Sequence, residues 1–432
     1  MLLGFALFTS LGHSQVKKPI IKDVAIIGGG SSGTYAAIRL HDEGKSVILV
    51  EKEIALGGHN NIYIDSATKQ AVNYVEKLSG LYPPNVTFVD IDTAQATNYT
   101  PPDITAALRA YIQQLSQYPS LDEGYFLPDP VPEDLLLPFQ KFVAKYPDIG
   151  NLTYTISQFG QGLGDILNQP TLYIFKIFGF NVINAFTSGV ILPTSRNNHE
   201  IYDRASKILG QDVLYRSTVI STRQRDSKGI ELKVNTLDGT RIIKAKKLLI
   251  TIPPKLTTLI PFTPDHREST LFNEFTSAGY YTSLVRKTSL PANLSTSSVG
   301  PDAPFSVAQL PGPYSVSPTS VDGVFTVKYG AQHPLPEEYV QGDILDFISK
   351  LQNNGFSGNY SGRANLLRFN SHVPFELTIS PGRIAAGFYR DLYALQGYRN
   401  TWYTGAAFHV HDSTRVWNFT EAFVLPGLLQ GL

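Results

Sequence analysis

The sequence predicts an α/β fold: a Rossmann-like dinucleotide-binding domain built from discontinuous segments, joined to an α+β domain. Three observations carry this. Asp23 to Glu51 reads as strand, glycine turn, helix, strand and acid. Lys247–Ile252 returns much later as a parallel-sheet strand, and Asn400–Gly405 as a strand ending in glycine. Between them, short strand-like runs alternate with helices and Pro/Ser/Gly loops, as in an antiparallel sheet with helices behind it. At 432 residues the chain exceeds one simple core, so two joined domains are expected.

The first element is Val24–Ile27, an uninterrupted apolar run suited to a central strand buried on both faces. Gly28, Gly30 and Gly33 follow at the spacing that turns the chain, admits a pyrophosphate and packs helix on strand. Ser31 and Ser32 open a helix whose free N–H groups and positive dipole end face the phosphates. Glu51 ends the next strand, placed to accept hydrogen bonds from an adenosine ribose. A second glycine pair, Gly57 and Gly58, then precedes His59. An NAD-type fold does not need it. An extended FAD does, because its pyrophosphate and ribityl chain require a second close backbone approach. FAD is therefore the predicted cofactor.

This combination resembles the flavin-containing amine oxidoreductase superfamily. Within it the chain is similar to fungal β-cyclopiazonate dehydrogenase-like FAD proteins and to FAD-dependent polyenoic fatty acid isomerases. The resemblance implies an FAD-binding domain over residues 20–68, 197–256 and 391–432, with a substrate domain over 69–196 and 257–390. It places backbone around Val219 at the adenine. It also places Gly405, the loop Ala406–Ser413 and the N-terminus of a closing helix, Trp417–Leu425, at the flavin's pyrimidine edge. Many relatives carry an acid directly after that glycine. Here Ala406 stands there, leaving backbone groups or Asp412 to substitute.

The remaining elements follow in order. Ile62–Asp65 and Ala71–Tyr74 read as two short strands, after which Val75–Pro84 looks shortened relative to the resembled family. Thr87–Asp90 is a strand. A helix after Pro101-Pro102-Asp103 puts Ile104, Leu108, Tyr111, Ile112 and Leu115 on one face. A second helix spans Glu133–Lys145. The apolar run from Leu172 to Leu192 is interrupted by Lys176, Asn181, Asn184 and glycines, so it predicts an internal helix pair and no integral membrane span. Ile201–Leu209 is a helix stopped by Gly210. Ser217–Thr222 is a strand, and Asp238-Gly239 joins Ile230–Val234 and Arg241–Lys244 as a hairpin. Tyr280–Leu290 and Phe325–Tyr329 are strands, Pro301–Pro318 reads as loop, and Glu337–Leu351 is a helix.

Composition narrows the chemistry. Lys plus Arg equals Asp plus Glu at 36 each, which argues against nucleic acid as a partner. With no cysteine, disulfides, thiolate metal sites and a cysteinyl–flavin bond are excluded. Residues 1–14 make a candidate signal peptide: Met1–Leu11 is mostly apolar and Gly12-His13-Ser14 supplies small residues. Sequons at Asn85, Asn98, Asn151, Asn293, Asn359 and Asn418 add to the expectation of a secreted glycoprotein.

No separate catalytic constellation stands out, as expected where a flavin carries the chemistry. His59 and His411 are the weak catalytic candidates, through flavin attachment or proton transfer, with hydrogen bonding to backbone or phosphate as the plainer role for them and for His409. His409-Val-His411-Asp412 lacks a third ligand at useful spacing, so no metal site is expected. The aromatic-rich composition, 24 Phe and 23 Tyr, leans towards a hydrophobic small-molecule substrate. The reading is an FAD-dependent oxidoreductase taking hydride from such a substrate, with dioxygen or another electron acceptor. The alternatives are an FAD-dependent double-bond isomerase of an unsaturated fatty acid and a flavoprotein that has lost turnover.

Overall fold

The computed structural model describes residues 18–60, 62–73, 86–189, 193–195, 197–357 and 363–432. The candidate signal peptide, the segment after Tyr74, and Asn85 and Asn359 lie outside them.

Ile20–Ile27 takes a central place in a seven-stranded sheet because both its faces are apolar: Val24, Ala25 and Ile26 are fully buried. Across the sheet the order is Val213–Leu214, Val47–Val50, Ile20–Ile27, Gly239–Ile250, Gly229–Thr236 and Thr218–Asp226. Thr401–Tyr403 pairs in parallel with Leu248–Ile250. The long strand Gly239–Ile250 joins two architectures. It pairs antiparallel with Gly229–Thr236 and parallel with Ile20–Ile27. The predicted strand Ser217–Thr222 runs on to Asp226, because it is one arm of this antiparallel meander.

The second sheet has the order Asn365–Ser371, Thr276–Arg286, Val324–Ala331, Gly312–Pro318, Ser295–Val299 and Val86–Asp90. Phe375–Thr378 pairs with the start of Thr276–Arg286. The loop predicted over Pro301–Pro318 is therefore corrected: from Gly312 it is strand. Helix Glu337–Asn353 covers one face, setting Val340, Ile344, Phe347, Ile348 and Leu351 against Tyr281, Val285, Val327 and Tyr329.

Two helices also depart from expectation. The predicted helix Glu133–Lys145 is two, Glu133–Leu136 and Phe139–Lys145. Pro138 has no N–H and disfavours helical backbone at Leu137, which is extended at ψ 141°. The closing helix begins at Ser413, four residues before the predicted Trp417, because Asp412 caps it by accepting from the Arg415 N–H at 3.1 Å. It continues through a π turn, Thr420–Val424, into Leu425–Leu429. The apolar run from Leu172 gives the buried helix Thr171–Ile177 and then Phe180–Ser188. Among the described residues no helix is long and apolar enough to cross a membrane.

Candidate active site

The glycine loop is held by backbone contacts. A Cβ at Gly33 would lie 1.9 Å from the Gly28 carbonyl oxygen, so the first helix can approach the strand only through glycine here. That helix, Ser31–Asp42, starts with no side-chain cap and no acid in its first turn, leaving its leading N–H groups available to an anion. Beside Gly30 there is room: a Cβ there would meet nothing closer than the Gly58 Cα at 4.0 Å.

The second glycine pair packs against this loop. The Gly57 N–H donates to the Gly29 carbonyl at 2.8 Å, and a Cβ on Gly58, at φ +54°, would fall 2.9 Å from the Gly30 Cα. His199 and Tyr202, around helix Glu200–Leu209, clamp the pair from outside. Asn60 bridges them, its backbone carbonyl accepting from His199 Nδ1 at 3.0 Å and its Nδ2 donating to the Tyr202 hydroxyl at 2.8 Å.

Glu51 is buried, with one carboxylate oxygen accepting from the Gly29 N–H at 2.5 Å and the other from the Glu53 N–H at 2.8 Å. It shapes the loop, and each oxygen keeps a lone pair for a ribose hydroxyl. Val219 lies two residues past Ser217, whose N–H donates to the Glu51 carbonyl at 2.8 Å. That backbone bond brings the start of the Val219 strand to Glu51, although the strand itself lies at the far end of the sheet order.

The C-terminal segment closes over the loop. A Cβ on Gly405 would lie 3.3 Å from the Thr251 carbonyl and 3.7 Å from Ser32 Oγ. Ser31 Oγ donates to Ser413 Oγ at 2.9 Å and accepts from Trp417 Nε1 at 3.0 Å. Asp412 is occupied twice over, as the helix cap and as the acceptor of Asn181 Nδ2 at 2.7 Å.

Folding brings His59 and His411 together, with ring centroids 5.9 Å apart, and adds residues that no motif announced. His372 lies 4.7 Å from His59, and Phe375 stacks on His411 at 4.1 Å. The Glu376 N–H donates to His411 Nε2 at 3.3 Å. His59 and His411 keep accessible surface, yet the protein around them strongly desolvates both. Burial, followed by the charge of Lys52, lowers the His59 pKa to about 4. Burial, with smaller effects from His59 and His372, holds His411 well below its usual range. Both imidazoles are neutral at physiological pH. Burial lifts the Glu376 carboxyl to about 8, and its charge is felt at Tyr125 and Tyr173.

His409 is turned elsewhere. Its Nε2 meets the Asp122 carbonyl at 3.0 Å and its Nδ1 the buried Lys176 amine at 3.1 Å, a backbone-tethering role. His409 and His411 thus engage separate neighbours. Among the described residues no group of His, Cys, Asp and Glu has the arrangement of a metal site.

The free helix N-terminus, the room beside Gly30 and the close approach of the second glycine pair fit an extended flavin dinucleotide. Gly28, Gly30, Ser31, Ser32 and Gly33 would hold its pyrophosphate, Glu51 its ribose, and Gly57, Gly58 and His59 its ribityl side. Fold and site together define a flavin-dependent oxidoreductase with an amine oxidase-type fold. Comparison with known proteins bears on this directly. Residues 23–78 match the family model "FAD dependent oxidoreductase". The chain is 39% identical to FAD-dependent oxidoreductase oblC of Cochliobolus heterostrophus, over 96% of this chain and 92% of that one. It is 34% identical to β-cyclopiazonate dehydrogenase of Aspergillus oryzae, over 94% and 93%. Among solved structures it matches a CLA-producing fatty acid isomerase from P. acnes at TM-score 0.74 and 19% identity, over 94% and 98%. It matches a putrescine oxidase at TM-score 0.62 and 14% identity, over 95% and 100%. The chain belongs to the FAD-dependent oxidoreductase family, and FAD is its cofactor.

Proposed function

We propose that this enzyme oxidises a hydrophobic small organic molecule by removing hydride from a C–H bond, with dioxygen or another acceptor taking the electrons onward. The observation that carries the proposal is the aromatic cluster of His59, His411, His372 and Phe375, which joins the second glycine pair to the C-terminal loop and the second sheet. FAD, when bound, supplies hydride acceptance. The chain excludes water and takes the proton that accompanies oxidation. Glu376 is the candidate for that task, but only in its ionised form: burial brings its carboxyl to about 8, so it gains the capacity to accept a proton as pH rises through that value, whereas the histidines beside it resist protonation. The full-length similarity to β-cyclopiazonate dehydrogenase supports a dehydrogenation.

The second reading, isomerisation of an unsaturated fatty acid, is favoured by the fold shared with the fatty acid isomerase. An anaerobic experiment separates the two. Linoleate is mixed with the FAD-loaded enzyme without acceptor, and products and flavin colour are followed. The proposal expects no catalytic accumulation of isomer. Repeated turnover to isomer, with the flavin oxidised at the end, overturns it in favour of the second reading.

A further inference from the structure

The second sheet turns one face to helix Glu337–Asn353 and the other to the site. On the site-facing side, one polar residue from each of five adjacent strands falls in a single line. Ser297 lies opposite Ser315, Ser315 opposite Lys328, Lys328 opposite Thr282, and Thr282 opposite Asn370. Directly opposed residues share a face. Their alternate neighbours Val316, Val327 and Tyr281 belong to the apolar core beneath the helix. An interior sheet face is ordinarily apolar, so a polar line across five strands does not serve packing.

The line has two ends with distinct surroundings. At one, Thr282 Oγ1 lies 2.9 Å from His372 Nε2, and so joins the histidine wall. At the other, Ser297 Oγ lies 3.0 Å from the Tyr154 hydroxyl and donates to Gln158 at 3.2 Å. Gln158, Tyr314 and Gln332 line a cavity of about 350 Å³.

Lys328 sits at the centre, 7% exposed. Among the described residues no carboxylate pairs with it, and burial alone lowers its pKa, to about 8. Two strands along the same line, beyond Thr282, the buried Asn370 Nδ2 has no partner, and neither has His372 Nδ1. A buried ammonium without a counter-charge is costly, and an alkyl side chain would fill the same volume without that cost. We propose that this line is a substrate-recognition strip on which Lys328 Nζ and the Asn370 amide hold an ionised oxygen of a hydrophobic organic acid, either a carboxylate or an enolate. The inference rests on the reading above that the second sheet faces the substrate.

The test uses the full chain loaded with FAD, and calorimetry with three probes: decanoate, a 2-acyl-1,3-cyclohexanedione as an acidic enol, and 1-decanol. At least one anion should bind more tightly than decanol, and the tighter anion identifies the source of the charge. Lys328→Met should weaken that anion about ten- to a hundred-fold while leaving decanol unchanged. Asn370→Ala should weaken the same anion selectively, which keeps the inference open to refutation if the lysine variant fails to accumulate. Unliganded Lys328→Met should melt no lower than wild type, an outcome a purely structural lysine would not give. Equal anion affinity in wild type and variants, or preference of the wild type for decanol, overturns the strip. A chain that takes up no FAD defeats the parent reading instead, whereas a loaded chain that binds neither anion defeats this inference alone.

Discussion

Glu51 shows how a single side chain ties loop shape to cofactor affinity. Its two oxygens receive the Gly29 and Glu53 N–H groups, so the carboxylate fixes the loop before any ribose arrives. Losing a hydrogen bond to a charged group typically costs about 1.5–3 kcal/mol. Glu51→Ala should therefore bind FAD roughly ten- to a hundred-fold more weakly, measured by titrating apoenzyme with FAD, while circular dichroism stays that of the wild type. Undiminished affinity would mean the ribose is held elsewhere. Glu51 and the glycines were legible in the sequence because backbone geometry demands those residue types at fixed spacing. His372 and Glu376 were not. His372 meets His59 across hundreds of residues of chain, Glu376 meets His411 only through its backbone N–H, and the run His372-Val-Pro-Phe-Glu376 carries no local signature.

Among the elements, those with strong periodicity were the ones the sequence foretold. Helix Glu337–Asn353 and the strands beside the glycine loop announce themselves by apolar spacing. Ser295–Val299 did not, because Ser-Thr-Ser-Ser has little strand propensity. Its serines suit a buried polar face that tertiary pairing imposes, and local rules fail where the face is reserved for binding. Elements far apart in the chain are locked by one buried ion network. Glu268, on helix His266–Phe272, pairs with Arg225 at 2.5 Å and Arg399 at 2.9 Å, and accepts from the Tyr403 hydroxyl at 2.8 Å. Removing one partner of such a pair strands the other charge, so Glu268→Ala should lower stability by about 3–5 kcal/mol in urea unfolding. Burial alone would raise the Glu268 pKa, but Arg225 outweighs it and the folded value is depressed. The stabilisation is therefore complete above the unfolded carboxyl value near ~4.3 and is lost as pH falls through the depressed folded value. The variant should show a shallower loss of stability over that acid range. Equal acid sensitivity in both proteins would remove Glu268 as its source.

For the whole molecule, two sheets of different character are joined through the histidine cluster. The dinucleotide sheet gathers strands from three separated stretches of chain, so its glycine loops and the Gly405 segment converge only on folding. The second sheet turns its polar line to the same cluster. On the proposed reading Gly28, Gly30, Gly33 and Glu51 share one duty, holding a single flavin per chain. The most direct measurement is the visible spectrum and flavin content of the purified full-length chain, before and after incubation with FAD. The account predicts flavin bands and one FAD per chain, with uptake sharply reduced in Glu51→Ala. A colourless chain that is folded by circular dichroism and takes up no FAD would contradict it.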